Sequence, residues 1–254
     1  MMFDSHAHYD DKQFDEDRDI LIPSLFEQGV KGFLNASSDI ASSYASLALA
    51  HKYENVYAAV GIHPHEAAEV SEDWLNELDK LSSDKKAVAI GEIGLDYHYD
   101  FSPRDIQMKV FEAQMAFAEK KNMPVVIHDR EAHGDTLAVI DKFPNVKGVL
   151  HSFSGSYEMA EYLVRKGWYI SFSGSVTFKT AEKLRHAVTA VPIDRVMCET
   201  DAPYLTPVPL RGKRNDSVKM RHTVEKLAEI YCISFEEMAE ICLNNAYSLF
   251  GIVK

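Results

Sequence analysis

Short hydrophobic runs alternate along the chain with longer stretches in which apolar residues recur at helical spacing. The runs that favour strands lie at residues 1–5, 30–36, 56–62, 87–93, 124–127, 147–150, 168–173 and 195–198. Stretches of helical period lie between them, at residues 15–28, 40–53, 72–81, 103–122, 134–143, 157–165 and 179–188. Two further helical stretches follow, near residues 217–231 and 235–249. Strands that alternate with helices in this way are typical of a parallel sheet.

The strand candidates are almost continuously apolar, as in Val-Tyr-Ala-Ala-Val-Gly-Ile at residues 56–62. This pattern is expected of parallel strands that are covered on both faces. Eight β/α units close naturally into a barrel, and α/β barrels commonly have about 250 residues. We therefore predict that residues 1–254 form one domain, a single (β/α)8 TIM barrel with an extra C-terminal helix. Four serines precede helical stretches and are predicted helix caps: Ser71, Ser102, Ser156 and Ser234.

Composition narrows the class of protein. A hydrophobic content of 46% with 11% aromatic residues supports a large core and excludes intrinsic disorder. No apolar run approaches the roughly 20 residues of a membrane span, and no signal-like segment begins the chain. An odd number of cysteines, three, argues against a disulfide framework. We therefore expect a cytoplasmic monomer that has no membrane partner.

The charge balance bears on nucleic acids. The formal net charge is −12, which opposes nonspecific attraction to a polyanion. Any site for a nucleic acid must therefore be a local patch of basic residues.

The first apolar run leads directly into two histidines, His6 and His8. Because side chains two residues apart on a strand point to the same face, both imidazoles would face one way. A shared divalent metal ion would explain this pair. A pair of exposed turn histidines would also explain it, since short histidine motifs often match by chance.

Further unusual polar residues follow the other strands. His63 follows the third run, Glu92 ends the fourth, His128 ends the fifth, His151 ends the sixth and Asp201 follows the eighth. Taken singly, each of these residues would more often be a hydrogen-bonded loop residue than a metal ligand. In a (β/α)8 barrel, however, the carboxyl ends of the strands meet at one mouth, where active sites are built. The coincidence of the whole set therefore predicts a metal site there.

The mixture of ligands indicates the chemistry. Imidazoles and carboxylates without a thiolate suit zinc, manganese, iron or magnesium in an open catalytic site. The set exceeds the needs of one ion, so we predict two divalent ions, about 3.5–4 Å apart, that clamp an in-line displacement. Glu92 would bridge the ions, and Asp201 would bind one of them and accept a proton from the attacking water.

Several motifs of this sequence resemble those of the TatD family, which belongs to the amidohydrolase superfamily of metal-dependent hydrolases. They are Gly-Ile-His-Pro-His (61–65), Gly-Glu-Ile-Gly-Leu-Asp-Tyr (91–97), Pro-Val-Val-Ile-His-Asp-Arg (124–130), Leu-His-Ser-Phe-Ser-Gly (150–155) and Glu-Thr-Asp-Ala-Pro-Tyr-Leu (199–205). The resemblance extends to Asn-Ala-Tyr-Ser-Leu-Phe at residues 245–250, so it covers essentially the full length.

The resemblance implies a TIM-barrel hydrolase with two divalent metals. Carried over residue by residue, it gives one ion to His6, His8 and Asp201. It gives the other ion to His128 and His151, with Glu92 as the bridge. His63 lies in the family's Gly-x-His-Pro motif and is assigned to contact with the substrate or transition state.

The resemblance also implies a substrate. Relatives are described as deoxyribonucleases that often trim single strands from the 3′ end. The expected activity is therefore hydrolysis of DNA phosphodiester bonds by a metal-activated water, as a 3′–5′ single-strand exodeoxyribonuclease. Other relatives resemble deacylases of D-aminoacyl-tRNA, so hydrolysis of that ester at the same two-metal site is the alternative.

Candidate substrate contacts lie in two places. The loop after the eighth strand carries five basic residues, Arg211, Lys213, Arg214, Lys219 and Arg221. They form either a phosphate-binding patch or a solvated surface. Arg211, Lys213 and the nearby Asn215 are the predicted substrate contacts there, and Arg130 is a second candidate, since its guanidinium can grip two phosphate oxygens.

Aromatic residues and one further histidine stay open at this point. Tyr97, Tyr99 and Phe153 would either stack on bases or pack under loops. His133 would either begin a helix, the preferred interpretation, or act as an accessory ligand.

Overall fold

A computed structural model describes residues 1–253, which form two compact units. We call residues 1–35 and 151–253 the terminal unit and residues 36–150 the central unit. Each unit is described by itself below.

Within residues 1–253, eight strands alternate with helices. The elements are β1 Met2–Ala7, α1 Arg18–Glu27, β2 Val30–Ala36, α2 Ile40–Lys52, β3 Val56–Val60, α3 Trp74–Ser82, β4 Ala87–Asp96, α4 Arg104–Lys121, β5 Val125–Arg130, α5 His133–Lys142, β6 Gly148–Leu150, α6 Tyr157–Arg165, β7 Tyr169–Phe172, α7 Glu182–Val188, β8 Val196–Cys198, α8 Arg221–Tyr231 and α9 Phe235–Phe250. This order is that of the (β/α)8 barrel, and α9 is the extra C-terminal helix that the sequence predicts. That residues 1–254 form one domain stays a prediction.

The terminal unit is built on parallel strand pairs. β1 pairs with β2, β7 pairs with β8, and Ala7 at the end of β1 forms a parallel bridge to Ala202. This bridge brings the loop after β8 to the end of β1. Helix α9 packs against β1, where the rings of Phe3 and Tyr247 meet edge to face at 5.3 Å.

The central unit contains the parallel series β3, β4, β5 and β6. Its strands are almost fully buried, as the continuous apolar runs predict. Gln114 of α4 reaches the backbone at the end of β3: its amide accepts from the N–H of Ile62 at 2.7 Å and donates to the carbonyl of Ile62 at 2.9 Å. The chain therefore leaves β3 in a fixed direction just before His63.

Strand β4 is longer than the sequence pattern predicts, ending at Asp96 rather than at residue 93. The added residues pair in register with β5, Gly94 with His128 and Asp96 with Arg130. Gly94 permits this because its φ is +143°, a conformation that side chains disfavour. Glu92 consequently lies inside the strand, and the prediction that it ends the strand is wrong.

Gly94→Ala should destabilise the protein by about 3 kcal/mol or more. A Cβ at this position would lie 2.0 Å from the carbonyl oxygen of His128, in addition to the strained φ. Gly134→Ala is the matched control, since a Cβ there meets nothing within 4 Å and the residue lies in α5. That control should stabilise by about 0.5–1 kcal/mol. Urea unfolding of both variants gives the free energies, and an unchanged midpoint for Gly94→Ala would contradict the interpretation.

Two of the four predicted serine caps are confirmed. Ser156 accepts from the N–H of Met159, and Ser234 forms a reciprocal capping box with Glu237. The prediction for Ser71 is wrong because α3 begins later, after Asp73. The prediction for Ser102 is wrong because its hydroxyl donates to the carbonyl of His65 and so ties two loops together. None of the helices within residues 1–253 is both long enough and apolar enough to span a bilayer.

Candidate active site

The terminal unit gathers His6, His8 and Asp201, as the sequence predicts for one ion. The Nε2 atoms of His6 and His8 lie 3.1 Å apart. Oδ1 of Asp201 lies 3.3 Å from Nε2 of His8 and 3.8 Å from Nε2 of His6. His6 lies in β1 and His8 directly follows that strand. The end of β1 is joined to the Asp201 loop because the N–H of Asp201 donates to the carbonyl of His6 at 2.9 Å.

His151 belongs to the same unit and packs against His6. The two rings stack with centroids 3.9 Å apart. Nδ1 of the His151 ring lies 3.2 Å from Oε1 of Glu199, which also accepts from the N–H of Ser152 at 2.7 Å. Glu199 is fully buried, and Oε2 of its carboxylate has no hydrogen-bond partner among the described residues. A buried carboxylate oxygen is costly unless it is paired or bound to a cation.

A buried acid holds the loop that carries Asp201. Asp4 accepts from the backbone N–H of Thr200 at 2.9 Å, from the hydroxyl of Thr200 at 2.6 Å and from the hydroxyl of Ser217 at 2.6 Å. Burial raises the pKa of Asp4 to about 7, although these hydrogen bonds oppose the shift. Asp201 itself has a φ of +59°, a left-handed conformation that the surrounding contacts must maintain.

Asp201 is held as a carboxylate. Burial by itself would raise its pKa, but the hydrogen bond with His8 and the charges of His151 and His6 outweigh burial, and the pKa lies below its usual value. The side chain therefore offers ionised oxygen atoms to a cation or to a proton.

The central unit gathers Glu92, His128 and His63. Oε1 of Glu92 lies 2.7 Å from Nδ1 of His128 and 3.5 Å from Nε2 of His63. His63 begins a short 3-10 helix, Pro64–Glu69, and its Nδ1 accepts from the N–H of His65 at 3.1 Å. Burial lowers the pKa of His63 to about 4, so its ring is neutral at neutral pH and carries its proton on Nε2.

Asp96 completes this group. Its Oδ2 lies 3.2 Å from Nε2 of His128 and 2.8 Å from Nε2 of His65. Burial would raise the pKa of Asp96, but the hydrogen bonds from His128, from the N–H of Tyr99 and from His65 hold it well below its usual value. One carboxylate thus orients two imidazoles at the end of β4.

Both groups have the donors that a divalent ion requires. His6, His151 and Glu199 each offer one ligand atom, all within 4.8 Å of one another, and the same holds for His63, Glu92 and His128. Two nitrogens that each lie 2.0–2.1 Å from one ion are about 3–3.5 Å apart, which the 3.1 Å between His6 and His8 fits. Because no thiolate takes part, the donors fit zinc, manganese, iron or magnesium in a catalytic site.

The predicted substrate contacts in the basic loop differ in their surroundings. Arg211 lies over the ring of Phe178 at 3.9 Å, and Lys213 is exposed. Among the described residues, neither has a carboxylate within salt-bridge distance. They line a pocket of about 340 Å³ with Phe178, Pro203 and Leu205, on the loop that follows Asp201.

The other members of this loop have partners within the protein. Arg214 pairs with Asp17, Lys219 with Asp216, and Arg221 with Glu225. Asn215 is fully buried, and its amide donates to the carbonyls of Thr200 at 3.0 Å and Tyr204 at 2.7 Å. Its surroundings are those of a residue that positions the loop, and its predicted contact with substrate stays a prediction.

The sequence reasoning did not single out three side chains that the structure places in these groups: Glu199, Asp96 and His65. Each lies inside one of the family motifs, at residues 199–205, 91–97 and 61–65 respectively. His133, by contrast, was noted as a helix start, and α5 does begin there. Its Nδ1 lies 2.7 Å from Oδ2 of Asp129, and this hydrogen bond raises its pKa.

The chain is similar in sequence to known proteins along almost its whole length. The sequence profile of the family described as "TatD related DNase" matches residues 3–251. The chain is 40% identical to the uncharacterized metal-dependent hydrolase YabD of Bacillus subtilis, over 99% of this chain and 100% of that one. It is 33% identical to the 3′-5′ ssDNA/RNA exonuclease TatD of Erwinia amylovora, over 99% and 100% of the two chains.

A solved structure supports the fold. The crystal structure of YJJV, a TatD homolog from Escherichia coli K12, superposes with a TM-score of 0.92 at 29% identity, covering 99% of this chain and 98% of that one. The predicted (β/α)8 barrel is confirmed.

Proposed function

Because this chain belongs to the TatD family of metal-dependent hydrolases, we propose that it hydrolyses phosphodiester bonds in single-stranded DNA, removing nucleotides from the 3′ end. The observation that carries the proposal is that each unit holds a group of His and carboxylate side chains suited to a divalent ion. The terminal unit also carries two cations, Arg211 and Lys213, that have no acidic partner among the described residues. The name of the Erwinia relative, an exonuclease of single-stranded DNA and RNA, supports the same substrate class.

We assign the metal-binding side chains as the sequence and the family imply: His6, His8, Glu92, His128, His151 and Asp201. When bound, two divalent ions would stabilise negative charge on the phosphoryl oxygens and lower the pKa of water, so that hydroxide is available at neutral pH. That Glu92 bridges them is part of the proposal. Glu199 would orient His151 by contact with Nδ1 of its ring, so that the other ring nitrogen, Nε2, would be the one that binds an ion.

The chain's own residues would handle the proton and orient the phosphate. Asp201, held ionised by His8, accepts the proton of the attacking water. His63 is neutral and protonated on Nε2, so it can donate a hydrogen bond to a phosphoryl oxygen as charge develops there. Arg211, Lys213 and Arg130 position the strand through its phosphates.

The function is tested with three substrates incubated in parallel with the purified protein and with Glu92→Ala. They are single-stranded DNA labelled at its 5′ end, the same strand with a blocked 3′ end, and D-aminoacyl-tRNA. We expect a ladder that shortens from the 3′ end of the unblocked strand only. Release of D-amino acid without cleavage of DNA would replace the proposal with the alternative, ester hydrolysis of D-aminoacyl-tRNA. Equal cleavage of the blocked strand would overturn the polarity.

Arg211→Ala should raise the KM for single-stranded DNA about tenfold, the factor expected when one charge-assisted hydrogen bond is lost. The slope of log KM against log salt should also fall by about 0.7, because one phosphate contact fewer releases fewer counterions. Arg221→Ala is the matched control, since Arg221 pairs with Glu225 on the exposed face of α8. An Arg211→Ala variant with the wild-type salt slope would exclude a phosphate contact at this position.

A further inference from the structure

Two large aromatic side chains are exposed in the loop that follows β4. Tyr99 is 48% exposed and Phe101 is 68% exposed. Their rings stack on each other, with centroids 5.3 Å apart and planes 21° from parallel. Isolated apolar side chains are common on protein surfaces, whereas a stacked exposed pair forms a contiguous apolar face of the kind found at binding sites.

The aromatic pair is attached to the central group of metal-binding candidates. The ring of His65 meets Phe101 edge-on at 4.8 Å and Tyr99 at 5.5 Å. Asp96 holds the Nε2 atoms of both His65 and His128. One imidazole and one carboxylate therefore separate the exposed rings from His128, and the pair lies beside the proposed site of hydrolysis.

A cation accompanies the rings. The guanidinium of Arg130 lies 4.7 Å from the ring centroid of Tyr99, and Arg130 follows His128 by two residues on β5. Within residues 1–253, no carboxylate lies within salt-bridge distance of Arg130. A stacking face next to an uncompensated guanidinium is the combination that binds a base and its phosphate.

The neighbouring aromatic residues do not share these properties. The hydroxyl of Tyr97 donates to Asp135 at 2.7 Å, and the guanidinium of Arg104 covers its ring at 4.2 Å. Phe153 is buried and packs edge-on against Phe172. Of the three aromatic residues that the sequence offered as stacking candidates, Tyr99 alone is exposed, and Phe101 extends the same surface.

We propose that Phe101, backed by Tyr99, is a platform on which a base of the single-stranded substrate stacks, while Arg130 binds an adjacent phosphate. This inference rests on the proposed function and names the part of the chain that recognises a strand. Because every base has a π face, such a platform accepts any sequence. It favours single strands over duplexes, since bases in a duplex already stack on each other.

The test compares Phe101→Ala, Phe101→Leu and Phe101→Trp in the metal-loaded enzyme. Binding is measured by fluorescence anisotropy with a labelled oligothymidylate whose phosphorothioate linkages resist cleavage. Turnover is measured with unmodified oligothymidylate and with bis(p-nitrophenyl) phosphate, a small diester that carries no nucleobase. Tyr44→Ala is the control, since Tyr44 is an exposed aromatic residue of α2 in the same unit.

Phe101→Ala and Phe101→Leu should weaken oligothymidylate binding and raise its KM about tenfold, with kcat within about twofold of wild type. Phe101→Trp should restore both values, because tryptophan keeps a π face, and no variant should change hydrolysis of the small diester. Wild-type affinity in Phe101→Ala, or an equal loss on the small diester, overturns the platform. A wild-type enzyme that cleaves the small diester and no oligonucleotide overturns the proposed function instead, and this inference with it.

Discussion

Asp201→Asn should lower kcat on single-stranded DNA by about 10²- to 10⁴-fold while changing KM little. Asparagine has the shape of aspartate but cannot accept a proton from water at neutral pH. The surrounding structure argues that this position is built for an ionised carboxylate, since His8, His151 and His6 lower the pKa of Asp201 against the effect of burial.

The backbone around Asp201 should survive this change. The loop is held by main-chain bonds from the N–H of Asp201 to His6 and from Tyr204 to the carbonyl of Asp201, which do not involve the carboxylate. Asp79→Asn controls for a general loss of charge, since Asp79 is an exposed carboxylate of α3 that pairs with Lys121 of α4. Metal content is measured on both variants. An Asp201→Asn enzyme that keeps its metal and its wild-type kcat would exclude Asp201 as the proton acceptor.

The sequence predicted the framework because its signal is local. A strand covered on both faces must be apolar throughout, so each run of β-favouring residues marked one strand, and β2 and α6 have the predicted bounds. The end of β4 was missed because it depends on the pairing of Gly94 with His128, a contact between residues far apart in sequence. Local patterns cannot register such a pairing.

The residues of the candidate site likewise fall into those that the sequence predicts and those that it does not. Histidines directly after apolar runs are rare enough to be noticed, and the structure brings His6, His8 and His151 together. Glu199 and Asp96 were not predicted because no local sequence pattern distinguishes a carboxylate that orients a metal-binding imidazole from a carboxylate on the surface. Their role emerges only from burial and from distances to His151 and His128.

Removal of one imidazole at a time should show how the ions are held. We expect about two divalent ions per chain in the wild-type protein, and about one in His8→Ala and in His128→Ala. His8 belongs to the group of the terminal unit and His128 to that of the central unit. Either loss should also reduce turnover by orders of magnitude, because a hydrolase that needs both ions for charge stabilisation cannot work with one. Elemental analysis after gel filtration gives the counts, and incubation of wild type with excess chelator should abolish activity.

His51→Ala is the matched control, since His51 is an exposed histidine of α2 that pairs with Asp84 and belongs to neither group. Its metal content and turnover should equal those of wild type. Unchanged counts in both His8→Ala and His128→Ala would contradict the assignment of these residues as ligands, as would persistent activity in chelator.

Glu92→Ala separates a bridging carboxylate from a ligand of one ion. Glu92 already lies within hydrogen-bonding distance of His128 in the central unit. If it served that group alone, its loss would leave about one ion per chain, the count expected of His128→Ala. If it bridges, both ions lose a ligand and both should be weakly held, so the count falls below one.

Glu199→Gln should have an intermediate effect on metal content. Glutamine can still accept from the N–H of Ser152, but it holds His151 less firmly than a carboxylate does. Metal affinity should therefore fall about 10- to 100-fold.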